Sequence, residues 1–255
     1  MRPYVLMALA ACTTAPDKRS GYISLTSQQL GSTGGASYVV ARFFTTEFPE
    51  LVSTSTPCEL DQYNSMQFPD GDFDAGVISI SGIPTPVRLT PEPSGDYVSY
   101  AQYSDLTRPL FTGGEEITVA ASGHNIPAFT EQLVAPAKIV VTSPAPLPDS
   151  ELSIPIHQDL AVAWTGGAGF VQVTIGSISN GHIALCRFPA ADGSGVIPHT
   201  VLEDISRGGS ADFAIDSVDF LHVPLGDWRV DISATFNGVW ASDDTLASGP
   251  VLLQD

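Results

Sequence analysis

The sequence predicts an all-β chain built as two consecutive antiparallel β-sandwiches. Three observations carry that expectation. Apolar residues recur at every second position in several short runs, which places one face of each run in a core and the other in water. Glycine and proline, 23 and 20 of the 255 residues, supply turns for many short strands. Residues 143–149 read Ser-Pro-Ala-Pro-Leu-Pro-Asp, and such a segment favours extended polyproline geometry over a hydrogen-bonded ladder, as a linker does. A hydrophobic fraction of 43% is that of a folding chain, and the length suits one large domain or two ordinary ones.

The chain opens on Arg2 and an apolar run over residues 4–11 that ends at Cys12. Eight residues of helix rise about 12 Å, far short of a hydrocarbon core of about 30 Å, so the run is no membrane span. A basic start, a short apolar core and small residues ahead of a processing point describe a secretory signal. Leu9-Ala10-Ala11-Cys12 resembles the lipobox of bacterial lipoproteins. The resemblance implies that residues 1–11 are a signal peptide that is removed, and that the Cys12 thiol receives a diacylglycerol. Further acylation of the new amino terminus, by palmitate for example, makes a stable membrane anchor, because one chain alone binds marginally. Residues 12–22 then form the lipidated cysteine and a polar tether. Thr13, standing where Asp would retain such a protein at the inner membrane, favours the outer membrane. The signal departs from the usual pattern in being short, with Arg2 its only basic residue.

Residues 23–142 are expected to form the first sandwich, with strands at 23–25, 38–44, 77–80, 117–121 and 138–141. Residues 150–255 are expected to form the second, where alternation is cleaner. Leu160, Val162 and Trp164 share one face, as do Val171, Val173 and Ile175. Trp228, Val230 and Ile232 face one way, and Arg229, Asp231 and Ser233 the other. Residues 201–205 suit a turn or two of helix. Asn237-Gly238 reads as a hairpin turn ahead of a strand at Trp240. Residues 114–119 and 226–232 share a pattern that suggests the final hairpins of two related units.

The run 159–164 followed by Thr165-Gly166-Gly167, then Cys186-Arg187-Phe188-Pro189 and Gly195-Val196-Ile197-Pro198, resembles Ig-like modules in uncharacterised bacterial lipoproteins of myxobacterial type. The resemblance covers the last 105 or so residues best. It implies an Ig-like sandwich and a cell-envelope address, and no activity, since its motifs are structural.

A formal charge of −18, spread through both halves, repels phosphate backbones and argues against nucleic acid as a partner. Cys58 and Cys186 fall on opposite sides of the expected linker. A disulfide needs their Cα atoms within about 7 Å, so each is expected to be a small buried apolar residue. There is no C-x-x-C, H-E-x-x-H, G-x-S-x-G or phosphate-binding G-K-[ST], and the five histidines stand singly. Asp70, Asp72 and Asp74 at alternate positions form the one candidate cation site, for Ca²⁺. Yet Ala75 and Ser81 stand where an EF-hand loop has Gly and Glu, and an acidic surface turn explains the same letters. Tyr97, Tyr100 and Tyr103 are a candidate platform for stacking on a sugar, or else line the base of a loop. The sequence therefore predicts a non-catalytic envelope lipoprotein that acts as a protein-interaction or structural module. A carbohydrate-binding or adhesive module is the alternative, and a hydrolase with a loop-built site ranks below both.

Overall fold

The computed structural model describes residues 19–30, 34–44, 50–55, 57–62, 73–94, 97–100, 102–145, 152–177, 181–206 and 211–254. Cys12, Asp70 and Asp72 lie outside the described residues. Among the described residues the order opens with β1 (Arg19–Leu30), β2 (Gly34–Phe44), β3 (Glu50–Ser55) and β4 (Cys58–Gln62). There follow β5 (Ile78–Ser81), β6 (Val87–Leu89), β7 (Pro91–Ser94), β8 (Tyr97–Tyr100) and β9 (Tyr103–Asp105). Then come β10 (Glu116–Ala121), β11 (Phe129–Val134), β12 (Ile139–Ser143) and β13 (Leu152–Pro155). β14 (Leu160–Gly166), β15 (Phe170–Ser177), β16 (His182–Pro189) and β17 (Ser194–Ile197) lead into α1 (His199–Ser206). β18 (Ala211–Leu225), β19 (Trp228–Asn237), β20 (Val239–Trp240) and β21 (Ser248–Gln254) complete the chain. The fold is all-β, and α1 gives two turns of helix where residues 201–205 suggested them. Among the described residues no helix is long and apolar enough to cross a membrane.

One sheet of eleven strands organises the molecule. Its main path runs β3-β4-β16-β15-β18-β19-β1-β2-β9, and β21, joined by β13, pairs with the first part of β18. Two four-stranded sheets, β11-β10-β5-β6 and β17-β14-β12-β20, pack against it. The register shows that both lie on the same face. Phe236, Ser217 and Val171 stand side by side across β19, β18 and β15, and Phe236 belongs to one core while Val171 belongs to the other.

Each core draws on both sides of 143–149. The first joins Ile23, Val39, Phe43, Ile78, Phe111 and Val119 to Trp228, Val230 and Phe236. The second joins Cys58 and Leu60 to Trp164, Val173, Phe213 and Trp240. Fully burying a side chain of this size contributes about 1.5–3 kcal/mol, so the two clusters dominate the stability. Backbone pairing also crosses the segment: β1 runs parallel to β19 over nine residues, and β4 runs antiparallel to β16. β18, fifteen residues long, serves both cores, with Phe213 and Ile215 in one and Val223 in the other.

Three expectations are corrected by this pairing. Cys58 and Cys186 are buried, but they are disulfide-bonded, because β4 sits beside β16 with the two cysteines directly opposed. The similar runs 114–119 and 226–232 hold different places: β10 pairs with β11 as a hairpin, whereas β19 lies between β18 and β1. Asn237-Gly238 makes no hairpin either. It carries the chain from β19 into β20, which pairs with β12 in the neighbouring sheet. A Cβ at Gly238 would strike the Ile215 carbonyl and crowd Ile139, so the crossing needs glycine for close backbone approach.

Candidate functional site

Two features singled out separately in the sequence meet in space. Asp74 precedes β5, and its carboxylate Oδ1 accepts hydrogen bonds from the Gly76 N–H and from the Tyr100 hydroxyl at 3.2 Å. The same hydroxyl accepts from the Ala75 N–H at 2.7 Å, and its single proton is shared between Asp74 Oδ1 and the nearer Gly76 carbonyl at 2.9 Å. Burial is the main cause that raises the Tyr100 pKa. The Asp74 carbonyl accepts from the backbone N–H groups of Asn125 and Ile126, and His124 Nδ1 lies 3.6 Å from Oδ2. Gly76, at φ +72°, takes the left-handed turn that lets its N–H reach back to Asp74. These bonds tie residues 73–77 to the 122–126 loop, and Asp74 and Tyr100 act as the knot.

Tyr103 is half-buried in β9 and, like Tyr100, packs against the first core. Tyr97 lies in β8, paired with Ser94. Beside Tyr100, Phe43, Phe73 and Trp228 meet edge to face, with Phe73 and Trp228 4.9 Å apart. The Arg19 guanidinium stacks 5.5 Å from Phe73 and 5.7 Å from Trp228. This mouth of the first core is where the chain enters β1.

A second arrangement was invisible to motif reading. The face of the large sheet that points away from both small sheets carries Glu59, Asp61, Arg187, Gln172, Phe170, Asp216, Phe220, His222, Asp231 and Arg229, by alternation with core residues. That face is concave. Phe44 at the end of β2 and Glu50 at the start of β3 are separated by a stretch that can reach at most about 22 Å. Seven inter-strand steps lie between those strands, about 34 Å if the sheet were flat. The sheet must therefore curl. Asp61 on β4, Val218 on β18 and Phe44 on β2 share this face by register and are buried although both small sheets lie on the other side, as a sheet curled toward this face requires.

The polar groups here are held in pairs. Arg187 donates to Glu59 Oε2 at 3.0 Å and to Gln172 Oε1 at 2.9 Å, and stacks 4.5 Å over the Phe220 ring. Arg229 grips both oxygens of Asp231, at 3.0 and 3.1 Å, and His222 Nδ1 lies 2.6 Å from the same carboxylate. Phe220 contacts Phe170 at 5.9 Å and His222 at 5.4 Å. Phe170 remains 40% exposed. Asp61 is buried, and its carboxyl is pushed up to about 6, chiefly by burial and then by neighbouring Glu59. Burial also raises Asp216 to about 6, against hydrogen bonds from the Asn237 amide and the Gly238 N–H.

Two further histidines, His157 and His199, also meet carboxylates, whereas His182 Nδ1 is buried without a hydrogen-bond partner among the described residues. His157 lies 2.8 Å from Glu203 and His199 2.8 Å from Asp159, and both pairs tie the loop before β14 to α1. No group of three or more His, Cys, Asp or Glu fit to hold a metal occurs among the described residues. No protein family, curated protein or solved structure matches the chain.

Proposed function

We propose that this protein is a non-catalytic binding module of the bacterial cell envelope, exported and anchored by lipid on Cys12, outer membrane rather than inner, and built to contact another envelope protein. The observation that supports it is the Cys58–Cys186 disulfide. Such bonds form and persist in oxidising compartments outside the cytosol, which agrees with a signal peptide at residues 1–11. The paired charges of the concave face suit recognition, because side chains already fixed by their partners lose little freedom when a ligand arrives. Exposed Phe170 beside Phe220 on that face favours a second reading, a carbohydrate-binding or adhesive module.

Intact mass spectrometry of protein purified from its own host tests the anchor. The expected species starts at Cys12 and carries two or three acyl chains. A chain that keeps Met1 with a bare thiol at Cys12 overturns the proposal.

A further inference from the structure

We infer that the concave face of the large sheet is a binding site for a neutral oligosaccharide, with Phe170 as its stacking platform and Arg187, Gln172, Glu59 and His222 as its hydrogen-bonding rim. The inference rests on the second reading above, a carbohydrate-binding module, and names the ligand class of that face. A sugar ring has an apolar side of C–H groups and an edge of hydroxyls that both donate and accept. The site offers the complement. Among the described residues Phe170 is one of few large apolar side chains left open to solvent, and it lies against Phe220 rather than standing alone. Donors (Arg187, Gln172, His222) and acceptors (Glu59, Asp231) surround the two rings on neighbouring strands.

Charge selects a neutral ligand. The chain as a whole is strongly acidic, yet Arg187 beside the Phe220 ring is matched by Glu59, and Arg229 on the neighbouring strand by both oxygens of Asp231. An anionic ligand would have to displace those carboxylates, and a cationic one would have to displace the guanidiniums, since Asp61 is buried and Asp216 is held by Asn237 and Gly238. A neutral hydroxyl brings no charge to be matched, so it can donate or accept at the edge of these pairs without breaking them. Arg187 is also held in place by three contacts, to Glu59, Gln172 and the Phe220 ring, so its fork is set before binding.

The test uses the full chain, purified in a sugar-free detergent, on an array of neutral and acidic oligosaccharides, followed by titration calorimetry with the best-retained compound. A neutral glycan is expected to bind, and Phe170→Ala to weaken it at least tenfold with the thermal midpoint unchanged. Phe170→Trp, which keeps a ring, should restore binding, and Tyr103→Ala should leave it intact. Should the alanine variant fold poorly, Phe170→Leu gives the same reading, because it keeps the apolar volume and removes the ring face. Retention of no neutral glycan, or undiminished binding by Phe170→Ala or Phe170→Leu, overturns the inference. The lipid measurement on Cys12 is independent of this outcome, so the two proposals fail separately.

Discussion

Cys58 on β4 and Cys186 on β16 stand directly opposite each other in antiparallel register and are joined by a disulfide, with 128 residues of separation. The loop so closed contains the sheet β11-β10-β5-β6 in full, so the bond confines much of the first core from within the second. In the chain-entropy account a loop of that length contributes up to about 5 kcal/mol, with typical values of about 2–4. Cys58→Ala with Cys186→Ala, or reduction of the native chain, should lower the unfolding free energy by that order and move the urea midpoint down accordingly. Equal midpoints with and without reductant would contradict it.

Stability should increase as pH is lowered from 7 toward 4. Asp61 and Asp216 are both pushed up to about 6 in the folded protein, against an ordinary 3.8 in the unfolded chain. The folded state therefore holds protons more tightly. The stability this gives is complete below about 3.8 and lost as pH rises through 6. Asp105, Asp159 and Asp243 are lowered by hydrogen bonds and act oppositely, losing their contribution as pH falls below the ordinary carboxylate range. Thermal melts between pH 4 and 8 check the trend. Asp61→Asn should raise the midpoint at pH 8 more than at pH 4.5, and an equal change at both would sink the assignment.

Tyr100→Phe keeps the ring and removes a hydroxyl that bonds Ala75, Gly76 and Asp74. The Ala75 N–H would lose its acceptor in a half-buried place, at a cost of about 1–3 kcal/mol. Hydrogen exchange should show faster opening at residues 73–77 and 122–126, with β15 and β16 unaffected. Uniform acceleration across the chain would count against a local knot.

Gly238→Ala should destabilise by about 1–3 kcal/mol or more, since its Cβ meets the Ile215 backbone carbonyl rather than a movable side chain. Denaturant titration reads this directly. Gly226→Ala is the control for a glycine without crowding, because a Cβ there would meet nothing within 4 Å, though its φ of +67° still carries strain.

Much of the local structure was legible in the sequence because period-two alternation is a property of a few neighbouring residues. β14, β15 and β19 follow the pattern closely, and Trp164 and Trp228 are buried as it requires. β18 escaped notice because Ser217 and Val218 are both buried and break the alternation, while Asp212, Asp216, Asp219 and Pro224 dilute the apolar signal. Pairing between distant strands leaves no local mark. Nothing around Cys58 announces Cys186, and nothing around Arg19 announces Trp228. The candidate site was half legible for the same reason: Arg229 and Asp231 could be assigned to a wet face, but the curl of that face depends on chain length between strands that adjoin only in the folded sheet.

The placement of β1 between β2 and β19 has a consequence for biogenesis. β1 must wait for a partner synthesised about two hundred residues later. Until then the β1–β2 hairpin presents a bare edge, which is prone to pairing with other chains. Assembly dominated by such remote contacts is slow.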